Sequence, residues 1–391
     1  MRKLEWPLLL TTGLLASIGL LVVYSTGGTH YFFRQLIFVP VAIGALIATF
    51  LLPRRVIIGV AWPAYLSSIV LLIAVLVFGR GAGADRWLAL GPLRLQPSEL
   101  AKVSTAILLA SHLAERRAPG FSFASLTVPV LICLAPALLI LAEPDLSTAV
   151  LFAVLLAAML YQAGLAPLHI LLLYIPLVSF AAGFSLYTWL PLFVLVAVVF
   201  LRHATLGRTV AVLTITSASG LLSPLVLSRL HEYQRARIRN FLAPWLDPHG
   251  VGWNAIQSRI AIGSGRLLGK GFGRGTQNRL GFLPNRHTDF VFSCIGEEFG
   301  LAGSIAVIGL FALHVSRVLN TARRSRDRFS ALLCTGLATI IGYQVIVNIG
   351  MLLGLLPITG IALPFVSYGG SGLVTQFAIV GLVLNVGARP E

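Results

Sequence analysis

Residues 54–78 read RRVIIGVAWPAYLSSIVLLIAVLVF, an Arg54-Arg55 pair followed by an uncharged run from Val56 to Phe78. About 20 apolar residues cross a bilayer as a helix, so this stretch predicts a membrane span. The arginine pair marks the end that stays cytoplasmic. The whole chain shares this character. Of its 391 residues, 57% are hydrophobic and 11% charged, with a mean hydropathy of +0.90. A soluble protein carries about 25% charged residues, so a water-facing globule is excluded. The expected fold class is all-α, a polytopic helical membrane protein.

Working outward, similar runs predict spans near 7–25, 32–52, 56–78, 97–114, 124–142, 146–163, 168–183, 186–201, 209–227, 290–316, 330–354 and 365–386. Met1-Arg2-Lys3 ahead of Leu8–Tyr24 imitates a secretory signal. The run is long and lacks a small-x-small cleavage pattern, so a retained first span is expected. Arg2-Lys3, Arg54-Arg55, Arg116-Arg117, Arg202 with Arg208, and Arg323-Arg324-Arg326-Arg328 fall in alternate connections. That alternation places both termini in the cytoplasm. Four polar segments then share the outer face: 79–97, Glu143-Pro144-Asp145, 229–289, and Leu356–Ser371. With no linker or repeat, residues 1–391 read as one membrane domain, with 229–289 a long basic extracytoplasmic loop.

The net charge of +16 does not indicate nucleic acid, because no soluble basic domain exists to hold a duplex. It fits a topology signal plus an anionic partner at the membrane, with membrane lipids as surroundings. Cys133, Cys294 and Cys334 lie in apolar segments, so no disulfide framework is expected. The 229–289 stretch carries Arg229, Arg235, Arg237, Arg239, Arg259, Arg266, Lys270, Arg274, Arg279 and Arg286 against Glu232, Asp247 and Asp289. Long loops cross regardless of charge, yet guanidinium forks also match phosphate oxygens. Trp253, Ile256 and Ile260 share a helical face, suited either to the headgroup plane or to packing on the bundle.

Ionisable groups at the mouths of spans are costly and draw functional hypotheses. Glu99 and Lys102, three residues apart in Gln96–Lys102, form either a local ion pair or a cation aimed into a cavity. Asp145 is a helix cap or a substrate contact. Asp289, running straight into a long span, is a cap or a general base, and burial would raise its pKa while a cap would lower it. Glu297 and Glu298 lie two turns deeper, as buried structural carboxylates or as a relay. The glycine-rich run 263–273 lacks the phosphate-loop ending, since Gly271 follows Lys270. Its backbone N–H groups and Lys270 remain suited to a bound phosphate. No His/Cys metal spacing and no Ser–His–acid set is legible.

These motifs together resemble the SEDS family of cell-wall proteins. The matches are Gly83–Trp87, Gln96–Lys102, Glu143–Leu146, Tyr233-Gln234, Gln257–Gly265, Gly275-Thr276-Gln277, Leu283-Pro284, His287–Phe290, Gly296-Glu297-Glu298, Asn348–Met351, Leu356-Pro357 and Leu363–Ser371. They cover nearly the whole chain in order. Gln257–Gly265 with Gly275–Gln277 looks more like the family's elongation branch than its division branch.

The resemblance implies peptidoglycan glycosyltransferase activity: lipid II joined into β-1,4 glycan with release of undecaprenyl diphosphate. It implies a class B penicillin-binding protein as transpeptidase partner and a bacterial cytoplasmic membrane with the active site on its outer face. Asp289 matches the family's essential aspartate. Arg86, Glu99, Lys102, Asp145, Lys270, Gln277, His287 and Ser367 become the expected substrate contacts. No cofactor is expected beyond a divalent cation, Mg or Mn, bridging diphosphate and carboxylate, for which no ligand set is legible. The family usually has ten spans, so an extra pair is expected within 165–208. Asn285 stands where glutamate is common, and Ser147 and Arg266 replace usual glycines. A lipid flippase would explain the spans and arginines equally well, but gives Asp289 no special role. A scaffold that only recruits the transpeptidase gives it none either.

Overall fold

The computed structural model describes residues 5–78, 87–90, 93–115, 123–203, 205–229, 251–283 and 285–388. Arg86, Arg116-Arg117, Tyr233-Gln234 and Pro284 lie outside the described residues. The described residues are nearly all helical. The helices are α1 (Trp6–Leu51), α2 (Arg54–Gly59), α3 (Ala61–Phe78), α4 (Pro97–Glu115), α5 (Phe123–Ala142), α6 (Leu146–Gln162), α7 (Pro167–Ala182), α8 (Leu186–His203), α9 (Leu206–Arg229), α10 (Val251–Ser264), α11 (Thr276–Arg279), α12 (Val291–Arg324), α13 (Arg328–Leu352) and α14 (Gly370–Gly387). The all-α expectation holds, with one short β feature among the described residues. Leu88–Leu90 (β1) and Leu93–Leu95 (β2) pair as an antiparallel hairpin, with Leu88 opposite Leu95 and Ala89 opposite Arg94. Two short leucine-bearing runs on either side of Gly91-Pro92 suit that pairing.

Among the described residues, six helices are long and apolar enough to cross a membrane, α1, α3, α12, α13 and α14 among them; four shorter apolar helices lie between Leu146 and Leu225. At about 1.5 Å per residue, a straight 46-residue α1 would be roughly twice the hydrocarbon thickness. Gly28, at φ 73° and ψ −172°, breaks it into two segments that match the two expected spans. Within 165–208, where an extra pair was expected, lie two short apolar helices, α7 and α8, joined through Gly183. With α9 they form a satellite core of Ile175, Val196, Phe200 and Val212, separate from the main core.

The 229–289 stretch is less loop-like than its composition suggests. Within it, α10 is anchored through buried Ser258, which bonds Ser293 at 2.7 Å and donates to Leu352 O at 3.0 Å. Its inward face is Gln257, Ser258 and Ala261, while Ile260 is exposed. Packing on the bundle therefore wins over lying in the headgroup plane. Trp253 instead turns to Phe282, its Nε1 donating to Phe282 O at 3.1 Å.

The ends of the helices sort into two faces. Arg54 pairs with Asp327 at 2.7 Å, Arg324 reaches Glu5 at 3.5 Å, and Asn385 Nδ2 donates to Phe50 O and Leu52 O at 2.6 and 2.7 Å. Both described ends of the chain, the α1–α2 turn and the α12–α13 turn thus meet on one face. From there α13 runs away, starting where Arg328 donates to Ala163 O at 3.0 Å and passing Tyr343, whose OH donates to Ser147 O at 2.7 Å. The start of α6, with Asp145, therefore lies toward the far end, with Leu352 and the entrance to α12.

Candidate functional site

At that far end, α12 starts at Val291 with Phe290 in the capping position and no side-chain cap. The aspartate before it is not a capping residue. The backbone from His287 to Asp289 is instead held from outside. Tyr368 N donates to His287 O at 2.8 Å, Ser367 Oγ to Thr288 O at 2.6 Å, and Asn348 Nδ2 to Asp289 O at 3.0 Å. Three successive carbonyls thus each take a donor from the C-terminal third of the chain. Asn348 Nδ2 also donates to Ile361 O at 2.6 Å, and Ser367 Oγ accepts from Leu363 N at 2.8 Å. The segment 361–368 and the turn 285–290 are therefore one clamped unit.

Asp289 is partly exposed. Its Oδ2 lies beside Gly360, 3.2 Å from where a Cβ on that glycine would sit, and Gly360 has φ +78°. No methyl separates the carboxylate from the passing backbone. Next to it, His287 packs against Tyr31 at 4.2 Å and Tyr368 at 5.6 Å between ring centroids, and Tyr31 meets Tyr368 edge-on at 5.0 Å. Burial, with the Arg286 guanidinium adding to it, holds the His287 imidazole below its usual range, so the ring is neutral at neutral pH. A neutral imidazole offers one donor and one acceptor.

The glycine-rich run is tied to this unit through α12. Gly300, at φ 66° and ψ −161°, breaks that helix and frees backbone groups on both sides. The segment 266–271 takes them up. Lys270 N and Gly271 N donate to Glu297 O and Glu298 O, both at 3.0 Å, while Leu301 N and Ala302 N donate to Arg266 O and Leu267 O at 2.8 and 3.0 Å. Gly269, at φ +80°, admits no side chain, since its Cβ would fall 2.2 Å from Glu298 O.

Glu297, fully buried, then collects donors on one oxygen: Lys270 Nζ at 2.7 Å, Thr276 N at 2.8 Å, Thr276 Oγ1 at 2.9 Å and Gln277 N at 3.1 Å. Glu298 accepts from Ser25 Oγ on α1, just before the Gly28 break. Each carboxylate thus ties neighbouring segments together through one oxygen, as the structural reading expects.

The expected catalytic residue, Asp289, belongs to the clamped unit together with the expected substrate contacts His287 and Ser367, Ser367 through its hydroxyl rather than as an open group. Lys270 and Gln277 join through Glu297, so the lysine is paired rather than free. Asp145 caps α6, its two carboxylate oxygens accepting from Thr148 N at 3.2 Å and Thr148 Oγ1 at 2.9 Å. Glu99 and Lys102 form a local buried pair at 2.7 Å, and no bond joins them to the Asp289 unit among the described residues. The second oxygen of Glu99 has no hydrogen-bond partner there. Arg86 is outside the described residues. For a divalent cation, no three His, Cys, Asp or Glu side chains come together as a metal site among the described residues. The sequence reading missed Asn348, Tyr31 and Gly360 as parts of the site. Asn348 was the findable one, an amide in an otherwise apolar span.

The chain matches the model of the FtsW, RodA and SpoVE family, described as a cell cycle protein, over residues 3–190 and 182–390. It is 36% identical over 369 residues to the peptidoglycan glycosyltransferase MrdB of Escherichia coli (strain K12), covering 94% of this chain and 88% of that one. It is 32% identical over 402 residues to a probable peptidoglycan glycosyltransferase FtsW of Geobacter metallireducens, covering 99% and 96%. Among solved structures, it resembles a chain of a peptidoglycan synthase complex that coordinates polymerization and crosslinking, with TM-score 0.77, 29% identity and 99% and 98% coverage. The Thermus thermophilus rod shape determining protein RodA matches with TM-score 0.66, 28% identity and 98% and 97% coverage. The fold, the ordered motifs and these matches agree: this chain belongs to the FtsW/RodA/SpoVE family.

Proposed function

We propose that this chain is a peptidoglycan glycosyltransferase of cell elongation, polymerising lipid II with Asp289 as general base. Its relatives' activity and its own site chemistry support that reading. The observation that carries it is the Asp289 carboxylate: partly exposed, not spent as a cap, and held by three clamped backbone carbonyls.

The donor sugar carries an α-linked diphosphate, a competent leaving group without a protein acid. The acceptor's 4-hydroxyl attacks the donor's C1 from the opposite side. The C1–O bond to diphosphate breaks, a β C1–O4 bond forms, and the hydroxyl proton passes to Asp289. A positioned base of this kind contributes about 10²–10⁴ in rate. Arg286, on the turn that carries the base, steadies the charge growing on the departing diphosphate, and Arg86, outside the described residues, is assigned the same role from its motif alone. Neutral His287 and the rings of Tyr31 and Tyr368 form the wall beside the base.

In this reading the Asp289 face is extracytoplasmic, the face gathering Glu5, Arg54 and Arg324 is cytoplasmic, and the membrane is the bacterial inner membrane. A class B penicillin-binding protein is the partner that crosslinks the product. Purified protein given lipid II in detergent tests the activity. Glycan polymer is expected from the wild type and not from Asp289→Ala. Polymer from both would remove Asp289 from the mechanism, and none from either would remove the polymerase reading.

A further inference from the structure

Far from Asp289, a cavity of about 220 Å³ opens where five helix ends meet: the starts of α1, α2 and α13 and the ends of α12 and α14. Its floor is apolar, with Ile57 and Phe329 both buried. Its rim carries Arg54, Arg324 and Arg326 against Glu5 and Asp327, an excess of one positive charge. The three arginines are in different states. Arg54 is fixed, bonded to Asp327 at 2.7 Å and lying over the Phe329 ring at 5.7 Å. Arg324 touches Glu5 only at 3.5 Å and is largely exposed. Arg326 is exposed and has no hydrogen-bond or ion-pair partner among the described residues.

We propose that this cavity binds the phosphodiester headgroup of an anionic phospholipid. Arg324 and Arg326 would grip the phosphate, and the apolar lining of Ile57 and Phe329 would take the start of the acyl chains. Guanidinium forks match phosphate oxygens in pairs, and basic pockets between membrane helices take anionic headgroups. The apolar floor separates this ligand from a free phosphate, which gains nothing from Ile57 and Phe329. Because α1 and α12 also carry the Tyr31 and Asp289 ends of the site, the lipid would tie together the helices on which the site is built. The proposal requires only that the chain sits in a bilayer, so it stands or falls apart from the polymerase reading.

Native mass spectrometry of the intact protein in detergent tests it, with phosphatidylglycerol, phosphatidylcholine and inorganic phosphate as separate probes. One phosphatidylglycerol is expected to stay bound in preference to phosphatidylcholine. The Arg324→Gln/Arg326→Gln variant should weaken it roughly thirtyfold, at about 1 kcal/mol per arginine. The Arg324→Lys/Arg326→Lys variant, which keeps the charge but loses the paired donors, should fall between the two, while Arg202→Gln on α8 should change nothing. Equal retention of both lipids, or an unchanged affinity in the double Gln variant, overturns the proposal. So does displacement of the lipid by millimolar inorganic phosphate, which would make the ligand a free anion.

Discussion

Asn348 donates one amide to two carbonyls, those of Asp289 and Ile361, from inside a span. Removing it leaves both acceptors without that donor in a place water reaches poorly, at about 1–3 kcal/mol each. Asn348→Ala is therefore expected to lower thermal stability and to cut polymerisation, with lipid II binding less affected. A KM that rises while kcat holds would contradict a positioning role. Gly360 makes a second prediction. A side chain there must adopt φ near +78° and meet the Asp289 carboxylate at 3.2 Å. The backbone alone costs about 1–2 kcal/mol, so Gly360→Ala should lose most activity while the protein still inserts. Polymer yield and membrane content, measured side by side, check this.

Among elements, the break in α12 organises the site's periphery. Gly300 opens the helix, 266–271 fills the opening, and Glu297 gathers Lys270, Thr276 and Gln277 beneath it. Glu297→Ala strands the lysine and the turn, a loss of about 3 kcal/mol or more. Glu297→Gln keeps an acceptor and should fall between. Hydrogen exchange over 266–279 should quicken in the same order, and unchanged protection in Glu297→Ala would refute the element's role. This arrangement was not legible in the sequence. Lys270 among glycines reads as a phosphate cradle, because the reason for the glycines is a break at Gly300 that only the packed helices reveal. Gly269 is bare to let a carbonyl of α12 approach. Asp145 and Glu99 had two readings each, and the cap and the ion pair the structure shows follow from local geometry that composition does not reveal.

At the scale of the molecule, the long apolar helices were legible because their runs are long relative to the charges that flank them. The alternating arginines also placed Arg54 and Arg324 on one face, as the structure has them. Less legible were the Gly28 break within one helical run and the burial of α10, both decided by tertiary packing. Orientation is checked by labelling single cysteines in a background without Cys133, Cys294 and Cys334. Asn285→Cys, exposed in the turn that precedes Asp289, should react with an impermeant thiol reagent applied from outside, and Arg326→Cys should not.

Acid should also destabilise the fold. His287 titrates lower in the folded chain than its ordinary 6.5, so the unfolded chain binds more protons. Its contribution is present above 6.5 and is lost as pH falls toward the folded value. Melting temperature should drop on acidification through that window, and His287→Phe should flatten the drop.

The central claim is that the Asp289 carboxylate takes a proton from a sugar hydroxyl, and Asp289→Asn isolates it, keeping size while removing basicity. With purified protein and lipid II, the account predicts a fall in polymerisation rate of at least about 100-fold, with lipid II still bound. A variant that polymerises at the wild-type rate would contradict it.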